Sequence, residues 1–396
     1  MEDRTVRIGL VQTSVSDDLD ENLRRSLRCV ESVLEKGANI VCLPELYRSP
    51  YFPQFESRDA SRYAETIPGE STEAFSALAR QYHAVIIVPL FERAASGEYY
   101  NSAAVIDTDG SLLPVYHKVH IPHDPLFYEK HYFRPGEGYR IYDTKFGRLA
   151  VLICYDQWFP EAARAVTLMG AEIIFYPTAI GWICDEVPPE GDWREAWETV
   201  QRGHAIANGT PVAAVNRVGR EGDLLFWGSS FVCDAFGTVI ARAGGDEEIL
   251  IADLDLAMNQ RVREGWGFLR NRCPATYGAL LREATPRRLG YHMPAEWERQ
   301  EAIWLSWPQD SETFQDIEAV ERSYIEIIRA VQTGERVDLL VADAAMRTRV
   351  ESLLSAAGVP LGWIRMHTID YADVWIRDYG PTFLVNREVG GLAMVD

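Results

Sequence analysis

Lysine is scarce in this chain: of 39 basic residues among 396, four are lysines, at positions 36, 118, 130 and 145. A lysine kept among so many arginines invites a chemical reason, and Lys118 has one. Cysteine is sparse as well. The six, at positions 29, 42, 154, 184, 233 and 273, form no CxxC pair and lack the density of a disulfide framework, so neither stapling nor structural zinc is expected. Long apolar runs are missing, which argues against a membrane-spanning helix. The N-terminus, Met1-Glu2-Asp3-Arg4, leads straight into an amphipathic strand instead of an apolar leader, and the expected location is the cytoplasm. Positive charge is in deficit: 39 basic against 59 acidic residues give a net charge of −20, which repels nucleic acid and anionic lipid and favours the approach of a cationic small molecule. Neither an internal repeat nor a low-complexity tract is present.

From residue 5 to about 255, short β-rich runs alternate with helical patterns, as in an α/β layered fold. The patterning predicts strands over Val6 to Val11, Ile40 to Leu43, Val85 to Leu90, Asn101 to Asp107, Leu149 to Ile153, Ile173 to Tyr176 and Val212 to Asn216, then a hairpin-rich stretch from Leu224 to Ile251. Helices are expected over Asn22 to Lys36, Glu161 to Met169 and Trp193 to Asn208. The segment Thr285-Pro286-Arg287-Arg288-Leu289-Gly290 has the proline, glycine and charge content of a linker, which places a domain boundary near residue 288 and separates residues 1–288 from 289–396.

Three segments put reactive groups where an apolar run stops. Val151-Leu152-Ile153 leads into Cys154-Tyr155-Asp156, with a helical pattern following Pro160. A thiol at such an elbow lies near a helix N-terminus, whose partial positive charge favours thiolate; the alternative is a cysteine packed as a small hydrophobe. Ile40-Val41-Cys42-Leu43 ends in Pro44-Glu45, where burial disfavours the charged carboxylate and lets it exchange protons with a thiol; the alternative is a capping or surface glutamate. Lys118, in Tyr116-His117-Lys118-Val119-His120, follows a run from about Leu112 to Tyr116 expected to be a strand, and a fixed ammonium there stabilises developing oxyanion charge. Its alternative is a solvated loop lysine.

Together, Leu43-Pro44-Glu45, His117-Lys118-Val119-His120-Ile121-Pro122, Phe133-Arg134-Pro135-Gly136, Cys154-Tyr155-Asp156-Gln157-Trp158-Phe159-Pro160-Glu161 and Tyr176-Pro177-Thr178-Ala179 resemble the nitrilase superfamily of carbon-nitrogen hydrolases over roughly residues 5–283. The resemblance implies a four-layer α-β-β-α sandwich, a homo-oligomer of two or more subunits joined by their helical faces, a Glu45-Lys118-Cys154 triad, and no metal or organic cofactor. It further implies that Glu129 positions substrate and that the backbone N–H of Tyr155 joins Lys118 in holding the oxyanion.

Within that superfamily, Asp156 to Arg164, Tyr176 to Gly181 and Gly203 to Asn208 are most similar to the N-carbamoylputrescine amidases. That implies a small substrate with a ureido head and a distal ammonium, for which Asp185 or Glu186 in the acidic segment Asp185 to Asp192 is a candidate partner; a solvated acidic loop is the alternative. Gly290-Tyr291-His292-Met293-Pro294, Trp304-Leu305-Ser306-Trp307-Pro308 and Asp373-Val374-Trp375-Ile376-Arg377-Asp378 resemble the beginning of agmatine deiminase, an α/β-propeller enzyme that makes N-carbamoylputrescine. One chain then touches two consecutive steps from agmatine to putrescine. By the same resemblance Trp375 and Asp378 contact substrate, yet no cysteine follows Cys273, so this part is expected to be catalytically inert. Two further readings are open: an amidase or ureidopropionase with another amide or carbamoyl substrate, and a non-catalytic scaffold on a nitrilase fold.

Overall fold

The computed structural model describes residues 4–282, 285–295, 298–310, 314–371, 374 and 382–395. They divide into two compact units, the first ending at Cys273 and the second starting at Pro274. The expected boundary near residue 288 falls between that point and the first regular strand of the second unit, Ala302–Ser306.

In the first unit, one six-stranded sheet contains Thr5–Gln12 (β1), Ile40–Cys42 (β2), Val85–Arg93 (β3), Tyr99–Ile106 (β4) and Tyr116–His117 (β5). The second contains Tyr142–Thr144 (β6), Gly147–Val151 (β7), Ile173–Pro177 (β8), and, after the short Gly181–Ile183 (β9), Val212–Val215 (β10). Val218–Glu221 (β11), Leu224–Trp227 (β12) and β9 make a small antiparallel sheet. Phe231–Cys233 (β13) and Val239–Arg242 (β14) extend the second large sheet, and Glu248–Asp255 (β15) returns to the first, pairing antiparallel with β1 from Thr5↔Asp255 to Gln12↔Glu248. Leu19–Glu35 (α1) and Glu70–Tyr82 (α2) cover the first sheet; Pro160–Leu168 (α3) and Trp193–Asn208 (α4) serve the second.

Period-two patterning decides which side chains face which layer. Ile8, Leu10, Ile40, Cys42, Val85 and Ile87 point to the second sheet and form one core with Leu149, Val151, Ile173, Phe175 and Val212. Their neighbours Val11, Val41, Leu43, Ile86 and Val88 pack under Val30, Val33 and Phe75 of the helices. The layers therefore run helix, sheet, sheet, helix, with both faces of β2 and β3 buried, and each such side chain contributes about 1.5–3 kcal/mol on burial. Gly9 permits the close approach of α1, because a Cβ there would sit 2.1 Å from Val33 Cγ1.

Several sequence expectations shift. The first helix begins at Leu19 instead of Asn22, since Asp18 caps it by accepting from the N–H groups of Asp20 and Glu21. Helix α2 and the helix Ala257–Trp266 (α5) escaped the periodicity, α2 because its buried stripe consists largely of small or polar residues, Ser71, Thr72 and Ala79 around Phe75. The strand expected from Leu112 to Tyr116 is reduced to an isolated bridge at Leu112 and the two residues of β5.

The second unit holds a parallel sheet of Ala302–Ser306 (β16), Arg336–Val341 (β17) and Ile364–Thr368 (β18), crossed by Ile317–Val331 (α6) and Ala344–Ala356 (α7). Val337, Leu339 and Val341 pack with Ile325, Ile328, Val350 and Leu354. Thr382–Asn386 (β19) and Gly391–Val395 (β20) form a hairpin. Trp375 and Asp378 lie outside the described residues. Among the described residues, no helix is long and apolar enough to cross a membrane.

Candidate active site

The ends of the central strands converge on a buried ionic cluster. Lys118, one residue beyond β5, is held there by its backbone: its N–H donates to Asn101 O at 2.9 Å, next to the Ser102↔His117 pair of β4 and β5. Its ammonium donates to Glu45 Oε1 at 2.8 Å and to Glu129 Oε2 at 2.7 Å, and all three side chains are fully buried. Glu45 follows β2 by three residues; Glu129 opens the short 3₁₀ turn Glu129–His131. Asn101 Nδ2 donates to Glu45 Oε1 at 2.7 Å, while Tyr51 O–H donates to Glu129 Oε1 at 2.8 Å. Glu45 Oε2 is buried with no hydrogen-bond partner among the described residues, which leaves that oxygen placed to take a proton from a reacting group.

Burial acts first on each charge. It opposes the Lys118 ammonium, but Glu129 and Glu45 more than offset this and hold the lysine firmly cationic. For Glu129, burial and the charge of Glu45 outweigh the lowering by Lys118 and push it up to about 7. Cys154 lies within the field of the same groups: burial, then Glu45, push its thiol well above the ordinary range, against the opposing pull of Lys118.

That result corrects one sequence expectation. The thiol was expected to gain thiolate character from a helix N-terminus, but Cys154 opens a 3₁₀ turn, Cys154–Trp158, and α3 starts only at Pro160. Desolvation and two carboxylates dominate, so the thiol keeps its proton until a base removes it. The elbow itself is real. Cys154 has φ of +41°, an unfavourable left-handed conformation for a residue with a Cβ, and its Sγ lies 3.9 Å from Ala179 O.

Asp156 pins this turn to the lysine strand. Its Oδ2 accepts from Ile153 N–H at 2.8 Å and Tyr116 O–H at 2.7 Å; its Oδ1 accepts from His120 N–H at 3.0 Å and meets His120 Nδ1 at 2.7 Å. The His120 ring stacks on Phe159 at 3.6 Å. Tyr155 is partly exposed and, with His120 and Phe159, lines a cavity of 960 Å³ whose wall includes Val119, Lys130 and Tyr155, the chain neighbours of Lys118, Glu129 and Cys154, but none of those three residues themselves.

The structure thus brings Glu45, Lys118 and Glu129 into direct contact, with Cys154 beside them and Tyr155 at the rim. Asp185 and Glu186 are exposed on the loop after β9, Asp185 with φ of +63°. Sequence reasoning missed Asn101 and Tyr51, which fix the two carboxylates; neither lies in a motif, and only strand pairing and loop packing bring them in. Among the described residues no group of His, Cys, Asp and Glu is arranged to hold a metal ion.

Residues 7–264 match the carbon-nitrogen hydrolase family model, and residues 292–396 match the Porphyromonas-type peptidyl-arginine deiminase model. The chain is 41% identical to an N-carbamoylputrescine amidase of Solanum lycopersicum over 290 residues, 70% of this chain and 95% of that protein. It is 39% identical to a citrullinase of Francisella tularensis over 285 residues, covering 70% and 99% respectively. A crystal structure of a carbon-nitrogen hydrolase from Helicobacter pylori superposes with a TM-score of 0.68 at 43% identity, covering 71% of this chain and all of that one. A nitrilase-superfamily protein of Saccharomyces cerevisiae gives 0.59 at 27% identity, covering 66% and 94%.

Proposed function

The chain belongs to the carbon-nitrogen hydrolase family, an amide-hydrolysing enzyme through residues 7–264, and from that premise we propose that its first unit hydrolyses N-carbamoylputrescine to putrescine, ammonia and carbon dioxide. The observation that carries the mechanism is the fully buried Lys118 bridging Glu45 and Glu129 beside a strained, protonated cysteine. Glu45 Oε2 takes the thiol proton as Cys154 Sγ attacks the ureido carbon. The oxyanion that forms is held by Lys118 Nζ and the backbone N–H of Tyr155. Collapse breaks the bond to the terminal nitrogen, which leaves as ammonia with the proton from Glu45. Water, deprotonated by the same glutamate, then attacks the S-carbamoyl intermediate and frees the thiol and a carbamate, which decomposes to the amine and carbon dioxide. Every proton is carried by Glu45 or water, so the scheme calls for no cofactor.

In this reading Glu129 orients the ureido head, and Asp185 or Glu186 meets the distal ammonium when the exposed loop folds over substrate. The subunit works as a homo-oligomer in the cytoplasm, and the second unit has a deiminase-type α/β-propeller fold. The relationship to the citrullinase favours a second reading, a ureido amino acid whose head undergoes the same chemistry while its distal end also carries a carboxylate.

The test is release of ammonia and amine from N-carbamoylputrescine, citrulline and carbamoyl-β-alanine, with agmatine in parallel, using the intact chain and Cys154→Ala. Turnover of N-carbamoylputrescine alone, lost in the variant, supports the first reading. Preference for citrulline selects the second, and preference for carbamoyl-β-alanine selects a ureidopropionase. A silent chain on all of these would revive the non-catalytic scaffold.

A further inference from the structure

Glu45 comes from the first large sheet and Cys154 from the second, so the proposed proton transfer requires the two sheets to be held in register at their active ends. Two adjacent residues at the end of β10, Asn216 and Arg217, touch both halves. Arg217 is fully buried, and its guanidinium donates to Glu45 O at 2.7 Å and Leu46 O at 2.9 Å, across a turn in which Leu46 has a left-handed φ of +49°. The second terminal guanidinium nitrogen, Nη1, donates to Glu221 Oε1 at 2.7 Å and to Ser49 O at 3.4 Å. Glu221 Oε2 in turn accepts from the N–H of Tyr51, whose hydroxyl holds Glu129. Asn216 grips the nucleophile's side: its Oδ1 accepts from Ile180 N–H at 3.0 Å and its Nδ2 donates to Ile180 O at 2.9 Å, fixing the residue after Ala179, whose carbonyl faces Cys154 Sγ.

We propose that Asn216 and Arg217 form a positioning splint that sets the Glu45 carboxylate relative to the Cys154 thiol. Arg217 touches no reacting atom; it acts by holding the backbone of Glu45 and, through Glu221 and Tyr51, the carboxylate of Glu129. A planar, forked cation is suited to this, because it serves two carbonyls on one side and a carboxylate on the other, whereas an ammonium is a single point charge. Loss of the splint lets Glu45 drift from the thiol and loosens Glu129 only indirectly, through Glu221 and Tyr51, so kcat falls far more than KM changes.

The inference rests on Glu45 being the base, and the test separates the two. Arg217→Lys, Glu221→Gln and Glu45→Gln are compared for steady-state turnover and for the pH profile of Cys154 alkylation by iodoacetamide, read on the Cys154 peptide by mass spectrometry; alkylation needs no substrate assignment. Arg217→Lys is expected to lower kcat about 100-fold, the loss associated with a displacement near 1 Å, with KM within about threefold. Its alkylation profile is expected to move toward that of Glu45→Gln, and Glu221→Gln to move the same way by less. A folded Arg217→Lys with parental kcat and profile overturns the splint. So does parental behaviour of Glu221→Gln if the Arg217 variant fails to fold. An unmoved profile in Glu45→Gln instead removes the base assignment on which the splint depends.

Discussion

Replacing Lys118 by methionine keeps the aliphatic stem and removes the cation between two buried carboxylates. At an effective dielectric of about 20, each of the contacts at 2.8 and 2.7 Å supplies about 6 kcal/mol of attraction before desolvation is counted. Desolvation offsets much of this, and removal of one member of a buried ion pair costs about 3–5 kcal/mol, because the partner charge is left behind. Glu129, already pushed up to about 7 by burial and then by Glu45 against Lys118, loses its principal stabilising charge and moves higher. The variant therefore keeps the proton taken up on folding to higher pH than the parent does, and its deficit grows as pH rises through and above about 7. Adding Glu129→Gln removes one of the two carboxylates that lose the lysine, and above about pH 7 the double variant is expected to recover about 2 kcal/mol, within the coupling range of residues in one network. Hydrogen exchange of the amides in β1 to β3 reports on the first unit alone and measures these differences site by site. A Lys118→Met deficit below about 1 kcal/mol, independent of pH and additive with Glu129→Gln, would refute the reasoning.

Glu129 also governs the stability of the unaltered protein. Its pKa in the folded state is raised, so its favourable contribution is present below the ordinary carboxyl range near 4.5 and is lost as pH rises through about 7; Glu129→Gln should flatten that limb in pH-dependent exchange, and an unchanged limb would assign it elsewhere. Asp156→Asn should destabilise the elbow by about 1–3 kcal/mol, because an amide cannot accept all four bonds that Asp156 now receives from Ile153, Tyr116 and His120. Turnover should fall with it as Cys154 relaxes from its φ of +41°, and a crystal structure of the variant with that φ retained would contradict the account.

Much of this enzyme could be read along the chain. The β-rich runs at Val6, Ile40, Val85, Ile173 and Val212 are strands because they supply one apolar face to the inter-sheet core and, in the central strands, a second to the helices. Glu45, Lys118 and Cys154 were legible because each stands just past such a run, in a short segment with its own pattern. Element ends were less legible: the Asp18 cap sets the start of α1, and the small residues of α2 carry little periodic signal.

What the sequence determined by itself is local and chemical: which residue types occur, where apolar runs stop, and that a thiol, a carboxylate and a lysine follow three of them. Tertiary structure alone decided the ionisation of the thiol and the lysine and the partners of all three. Whether Cys154 carries its proton depends on how much solvent is excluded around it and on charges from Glu45 and Glu129, both distant in sequence. The same is true of Asn101, Tyr51 and Arg217, polar residues with no motif, whose roles arise because two sheets bring them within hydrogen-bond reach of the two carboxylates and of the backbone that carries Glu45. Desolvation and hydrogen bonding are short-ranged in space but indifferent to chain separation, so they become definite only once the sheets have packed.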